Sequence, residues 1–266
     1  MRKLSLFLAL VFSFALVSCN ARERTQEETG PLTSAYQVVN VTNGSTISGT
    51  VKTSQPITAA SVIVQKDQDV CGTSHPNPGA PIGTSGISGA IVYLERLASG
   101  KPFNQNAEAL LRQKGCEFIP HVQIIHRGQK VILSNEDGAL HNANFQLLGL
   151  TELNVAQPNG APPREIELTK DGLYTVKCDV HSWMRGFVMV VDHPYYTITD
   201  KDGAYSLTDI PPGTYTLKMW RDNWQLDEPK DNQGHVTTYN WGSDFQKQQP
   251  VTVAAGAAQT VDFVIP

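Results

Sequence analysis

The chain has 266 residues, 21 of them basic and 25 acidic, giving a net charge of −4. With no Lys/Arg run and no basic patch, that balance excludes nucleic acid as a partner. The length is sufficient for two small domains with cores of their own.

The first predicted element is a leader. Arg2 and Lys3 precede an apolar run from Leu4 to Val17 that is too short to span a bilayer comfortably. The stretch Leu16-Val17-Ser18-Cys19 resembles the bacterial lipoprotein box, which implies cleavage before Cys19 and lipidation of that cysteine. An ordinary secretory signal is the alternative. Residues 1–18 are read as the signal peptide, and 19–44, polar and low in aromatics, as a flexible tether. Loss of Arg2 and Lys3 with the leader makes the mature chain more acidic still. No later segment is long and apolar enough for a transmembrane helix. The expected location is the periplasmic side of the cell envelope, in an oxidising compartment, held to the membrane by lipid. Asn20 does not resemble the aspartate linked to inner-membrane retention, which favours the outer membrane.

From Thr46 onward the pattern is β. ISGTVKT, AASVIVQ, GAIVYLE, HVQIIHR, QKVILSN, NANFQLL, REIELTK, LYTVKC and GFVMVVD are short runs rich in Val, Ile and Tyr, bounded by Gly, Pro, Asn and Asp. One helix is predicted, Ala107 to Lys114 (AEALLRQK), closed by Gly115. Many short strands separated by turns predict an all-β protein built as sandwiches.

A boundary is predicted at Asp192-His193-Pro194. Beyond it, Asp-Lys-Asp-Gly turns, Ala204 to Thr208 alternates, Pro211-Pro212-Gly213 turns again and Thr214 to Trp220 returns, which predicts a hairpin. This segment resembles the carboxypeptidase regulatory-like, transthyretin-type sandwich over residues 194–266. Asp200 and Asp202 do not start an EF-hand, because the twelfth position, where a bidentate Glu is required, holds Pro211. The predicted organisation is therefore a first, larger β domain over 45–193 and a smaller sandwich over 194–266. Residues 46–70 are left open between the two, since ISGTVKT also suits the second.

Cys178-x-x-His181-x-x-Met184 lies between the runs Leu173–Val176 and Phe187–Val191. A tight loop can turn three side chains toward one point, whereas a straight strand alternates them between faces. Thiolate, imidazole and thioether are soft to intermediate donors that suit copper far better than calcium or magnesium. A blue-copper centre needs a second imidazole, and His141 in DGALHNANF supplies the candidate. The alternative reading makes these ordinary core and turn residues.

In this order the four residues resemble the cupredoxin family, and the C-x2-H-x2-M spacing is similar to that of amicyanin. The resemblance implies a Greek-key β-sandwich, one type 1 copper, His141 and His181 as equatorial imidazoles, Cys178 as thiolate and Met184 as axial thioether. It implies that Asn142 hydrogen-bonds near the thiolate. Such loops carry Pro after the second His; here that position is Ser182, which loosens the loop. The resemblance further implies that the His181 edge is the electron exit, with Trp183 and Phe187 either around it or in the core.

Cys71 and Cys116 are the remaining cysteines, and an even remainder in an oxidising compartment reads as a disulfide. Cys71-x3-His75 and Cys116-x4-His121 leave a second metal as the competing reading. His126, His193 and His235 show no partner and read as surface or boundary residues. Glu165 and Glu167 read as solvated.

No phosphate loop, nucleophile elbow or zinc-protease helix occurs. With all coordination positions filled by protein, no place remains for substrate, and an enzyme is not expected. The expected activity is single-electron transfer with a redox protein such as a cytochrome or periplasmic oxidoreductase. The alternatives are copper binding or handling without electron traffic, and a cell-envelope scaffold.

Overall fold

The computed structural model describes residues 35–57, 61–77, 79–81, 86–104, 108–228, 230, 232–234 and 239–266. Cys19, the leader, His235 and the tether up to residue 34 lie outside them. The described residues are almost entirely β, with one short helix, Gln68–Cys71.

Two sheets enclose the first core. One has the order Arg164–Glu167, Lys130–Asn135, Ala109–Gln113, Phe118–Ile119. The other runs Leu150–Gln157, His141–Leu147, Gly172–Lys177, Arg185–Val191, Val122–His126. Leu111, Val131, Leu133 and Ile166 from the first meet Phe145, Val155, Val176 and Val188 from the second in one buried cluster. Ala109–Gln113 lies parallel to Lys130–Asn135, and Val122–His126 parallel to Arg185–Val191; the other pairs are antiparallel.

The second sandwich pairs the sheet Tyr196–Ile198, Ile91–Leu94, Gly213–Arg221, Phe245–Val253 with the sheet Ala204–Ile210, Ser45–Thr53, Ala258–Thr260, to which Phe263–Ile265 adds. Ile47, Leu94, Leu207, Leu217 and Phe263 share its core. A third cluster joins the sandwiches, with Val122, Phe187, Met189 and Val191 of one against Ile91 and Trp220 of the other. This explains the run RGFVMVV. Every residue of that strand is buried, because Val188 and Val190 face the first core while Phe187, Met189 and Val191 face the neighbouring sandwich. A strand covered on both sides needs no alternation.

Four expectations are corrected. The predicted helix over 107–114 is the strand Ala109–Gln113: Ala109, Leu111 and Gln113 point inward while Leu110 is exposed, and pairing to Lys130–Asn135 outweighs helix propensity. Gln113 belongs to that inward row because its amide donates to Gln157 Oε1 at 2.6 Å.

The hairpin expected over 204–220 does not form. Ala204–Ile210 pairs with Ser45–Thr53, whereas Gly213–Arg221 pairs with Phe245–Val253 and Ile91–Leu94. The Pro-Pro-Gly turn carries the chain from one sheet to the facing one, so that Leu207 and Leu217 meet across the core.

Strand pairing also cuts across the expected limits 45–193 and 194–266. Ser45–Thr53 and Ile91–Leu94 are built into the second sandwich, because their partners are C-terminal strands. The tether, read as extending to residue 44, ends earlier. Gln37–Val38 pairs in parallel with Ser99–Gly100, and the Tyr36 hydroxyl donates to the Lys101 carbonyl at 2.7 Å.

Candidate metal centre

Cys178 follows the strand Gly172–Lys177, and Met184 precedes Arg185–Val191. Lys177 and Arg185 are cross-strand partners, so residues 178–184 form a loop that closes across one rung of the ladder. The loop is tied by its own backbone: Cys178 N–H donates to the Met184 carbonyl at 3.2 Å and Met184 N–H to the His181 carbonyl at 2.9 Å. On the adjacent strand, Asn144 is opposite Lys177, which brings His141 and Asn142 alongside the loop. The Asn142 side chain fixes that junction. Its Oδ1 accepts Asp179 N–H at 2.7 Å, and its Nδ2 donates to Asp179 Oδ2 at 2.8 Å.

These elements bring three donor atoms together. His141 Nδ1 and His181 Nδ1 stand 2.9 Å apart, and Cys178 Sγ lies 3.9 Å from the first and 3.7 Å from the second. Both imidazoles are fully buried, with Cys178 at 2% and Met184 at 1% exposure. An ion bonding imidazole nitrogen at about 2.0–2.1 Å and thiolate sulfur at about 2.3 Å can reach all three donors at such separations. Met184 is buried in the same cluster as Cys178 and Trp183.

The outer nitrogens are also occupied. His141 Nε2 donates to Asp137 Oδ2 and His181 Nε2 to Asp67 Oδ2, both at 2.9 Å. With protons on Nε2, the two Nδ1 lone pairs face one another beside the sulfur, an arrangement a cation relieves. Burial pushes the His141 pKa below its ordinary value, against the opposing pull of Asp137. Burial does the same to His181, opposed by Asp67. Both rings are therefore held neutral, the state that ligates metal. Burial raises the Cys178 thiol, partly offset by backbone N–H groups of Asn142, His181 and Val180 directed at the sulfur.

Asn142 thus serves through its backbone at the sulfur and through its side chain at the loop. Asp179, beside Cys178, accepts amide protons from Asn142, Asn144 and Asn154. Although burial alone would raise its carboxyl pKa, the amides of Asn144, Asn154 and Asn142 hold it below the usual range.

The expected exposed edge of His181 is absent. Asp67 caps its Nε2, Cys71 Sγ lies 4.0 Å from the same nitrogen, and the Trp183 ring is 5.0 Å away centroid to centroid. The segment around Gln68–Cys71 closes over the ring. Trp183 is a core residue whose indole N–H donates to the Cys116 carbonyl at 3.3 Å. Phe187 packs instead at the junction of the sandwiches, 4.9 Å from the Trp220 ring.

Cys71 and Cys116 form a disulfide. That removes the competing second metal, since both sulfurs are consumed. His75 lies 3.4 Å from Glu117 and His121 2.9 Å from Asp222. Among the described residues, Cys116, Asp137 and His141 also have donor atoms within 4.8 Å of one another, but the sulfur there belongs to the disulfide. His193, expected at the surface or at a boundary and without a partner, is buried: it accepts Tyr195 N–H at 3.3 Å and packs against Tyr36 and Tyr196. The His126 ring rests on Phe103. Glu165 and Glu167 lie at the surface beside Lys130.

Two acids escaped the sequence reading. Asp137 precedes His141 by four residues, a spacing that could have signalled it. Asp67 is 114 residues from His181 and left no local trace.

Residues 167–261 match the family model described as polysaccharide lyase family 4, domain II. This differs from the carboxypeptidase regulatory-like family expected for residues 194–266. The chain matches none of the curated proteins. Among solved structures, it is similar to a copper-containing nitrite reductase from Thermus scotoductus SA-01, at 23% identity and a TM-score of 0.29 over 37% of this chain. The match spans only 26% of the reductase chain. A purple cupredoxin from Nitrosopumilus maritimus is 23% identical, with a TM-score of 0.29, over 32% of this chain and 100% of its own. Amicyanin from Paracoccus versutus is 18% identical, with a TM-score of 0.28, over 32% and 83%.

Proposed function

We propose that the chain is a copper protein that passes single electrons through one mononuclear centre held by His141, Cys178 and His181, with Met184 as the weak fourth donor. The observation that carries this reading is the convergence of two imidazole nitrogens and one sulfur in a buried site. The donor set fits the soft, nitrogen–sulfur preference of copper. Copper bound there supplies a one-electron couple. The protein's part is to hold the donors in place: the Asn142–Asp179 clamp and the two backbone bonds of the 178–184 loop resist rearrangement when the charge changes. Four protein donors leave no position for substrate, so the role is carriage of electrons rather than catalysis. In this reading the partner is a redox protein such as a cytochrome, and lipid at Cys19 tethers the chain on the periplasmic side of the envelope, with the outer membrane favoured.

A second reading is copper binding or handling without electron traffic. The burial of His181 under Asp67 and Cys71 favours it, because an enclosed imidazole offers no bare edge to a partner. The test is to load the purified chain with copper and record stoichiometry, visible absorption and voltammetry. One copper per chain, intense thiolate absorption lost in Cys178→Ser, and a reversible couple support the carrier. Bound copper without a reversible couple supports handling. No copper, or retention unaltered in His141→Ala, sinks both.

A further inference from the structure

We propose that Asp67 and Asp137 are positioning residues of this centre, each holding one imidazole by its outer nitrogen, and that the Cys71–Cys116 disulfide braces both carboxylates. The inference rests on the copper reading for its effect on potential, but its geometry stands without metal.

The two imidazoles are treated alike. Each Nε2 meets a carboxylate oxygen at 2.9 Å, which fixes the tautomer that presents Nδ1 to Cys178 Sγ. The carboxylates come from separate parts of the chain, and the disulfide joins those parts. Asp137 is gripped by the Cys116 segment: its Oδ1 accepts Gly115 N–H at 2.6 Å and its Oδ2 accepts Cys116 N–H at 2.8 Å. Asp67 opens the turn that ends at Cys71, and its carbonyl accepts the N–H groups of Val70 and Cys71. Its backbone sits in the left-handed region, φ 52°, which a non-glycine residue adopts at a cost and keeps when its surroundings demand it. The bond from Cys71 to Cys116 therefore ties the Asp67 turn to the backbone that grips Asp137. The sulfurs also lie against the rings: Cys71 Sγ is 4.0 Å from His181 Nε2, and Cys116 Sγ is within 4.8 Å of a His141 ring nitrogen.

A carboxylate on the outer N–H makes an imidazole a stronger donor, and removing such a partner typically costs about 10–100-fold in metal affinity. A stronger donor favours the higher-charged ion. If the loss falls on the oxidised metal alone, each tenfold change raises the potential by about 59 mV.

The experiment compares the parent chain with Asp67→Asn, Asp67→Glu, Asp67→Ala and the double variant Cys71→Ser/Cys116→Ser. In copper-loaded protein, Asp67→Asn is expected to weaken copper(II) binding about 10–100-fold, and to raise the midpoint potential. Asp67→Glu should restore part of both. The double cysteine variant should shift the potential the same way although both carboxylates remain. In metal-free protein, nitrogen NMR should find His181 protonated at Nε2 with slow proton exchange, and Asp67→Ala should lose that protection while the protein stays folded. Unchanged affinity and potential in Asp67→Asn overturn the proposal. If the parent binds no copper, the copper reading fails by itself. The metal-free arm then decides: an Nε2 proton equally protected in Asp67→Ala overturns the positioning role.

Discussion

His141 Nδ1 lies 2.9 Å from His181 Nδ1 across a separation of 40 residues, while each Nε2 donates to a carboxylate. Two lone pairs at that distance repel, and the strand His141–Leu147 and the 178–184 loop hold them there. A metal that bonds both should therefore stabilise the fold well beyond a surface-bound ion. Adding one equivalent of copper should raise the unfolding temperature, with a gain of about 4 kcal/mol when free ligand reaches a thousand times its dissociation constant. His181→Ala should abolish the shift in calorimetry, and a shift that survives the substitution would place the ion elsewhere.

Asp179 is the acceptor on which Asn142, Asn144 and Asn154 converge. Asn142 and Asn144 are buried, so removal of that acceptor leaves amide protons without a partner. Asp179→Ala is expected to cost about 1–3 kcal/mol in urea unfolding and to speed metal release from the adjoining loop. Wild-type stability together with an unchanged release rate would show that the clamp does not hold the loop.

The disulfide closes a loop with a sequence separation of 45 residues. On the chain-entropy model, that cross-link stabilises by about 4 kcal/mol. Urea unfolding of the parent and of Cys71→Ser/Cys116→Ser should differ by that order. A difference below about 1 kcal/mol would mean that the denatured chain is already restricted in this region.

Ser45–Thr53 belongs to the second sandwich, and Gly49 marks where it passes closest to another strand. A Cβ at Gly49 would lie 1.8 Å from the Val261 carbonyl oxygen, which is backbone and cannot swing away. Gly49→Ala should destabilise the protein by about 3 kcal/mol, the upper end of ordinary overpacking. Thermal unfolding measures this; a neutral substitution would separate residue 49 from residue 261.

His193 is buried as a neutral acceptor, and burial pushes its pKa below the ordinary value, with Asp192 pulling the other way. Because the folded state resists protonation, the unfolded chain binds the proton first as pH falls. Stability from this group is complete above about pH 6.5 and declines below it, by at most about 1.4 kcal/mol per pH unit. His121, His141 and His181 are depressed too, so they steepen the parent's slope in the same direction. Denaturation between pH 5 and 7 should therefore show a shallower slope in His193→Gln than in the parent. Parallel slopes would contradict the neutral, buried ring.

Most strands were legible as alternating Val/Ile-rich runs, since a half-buried strand must alternate and a turn must use Gly, Pro, Asn or Asp. Their partners were not. GTYTLKMW and AYSLTDI look like the arms of a hairpin, yet each pairs with strands far away in the chain, because alternation specifies which face is apolar and not which strand lies beside it. AEALLRQK misled for a related reason. Its residues favour a helix when isolated, and the parallel partner Lys130–Asn135 overrides them.

Local sequence alone determined the donor chemistry: Cys178, His181 and Met184 at three-residue spacing on a turn, with the β character on either side. Covalent spacing makes that trio neighbours whatever the rest of the chain does. Tertiary structure decided the remainder, including the approach of His141, the acids on both outer nitrogens and the enclosure of His181 beneath the Asp67 turn. Those relations join residues that no local pattern connects. They exist only because two sandwiches and a cross-link bring distant segments within hydrogen-bond reach.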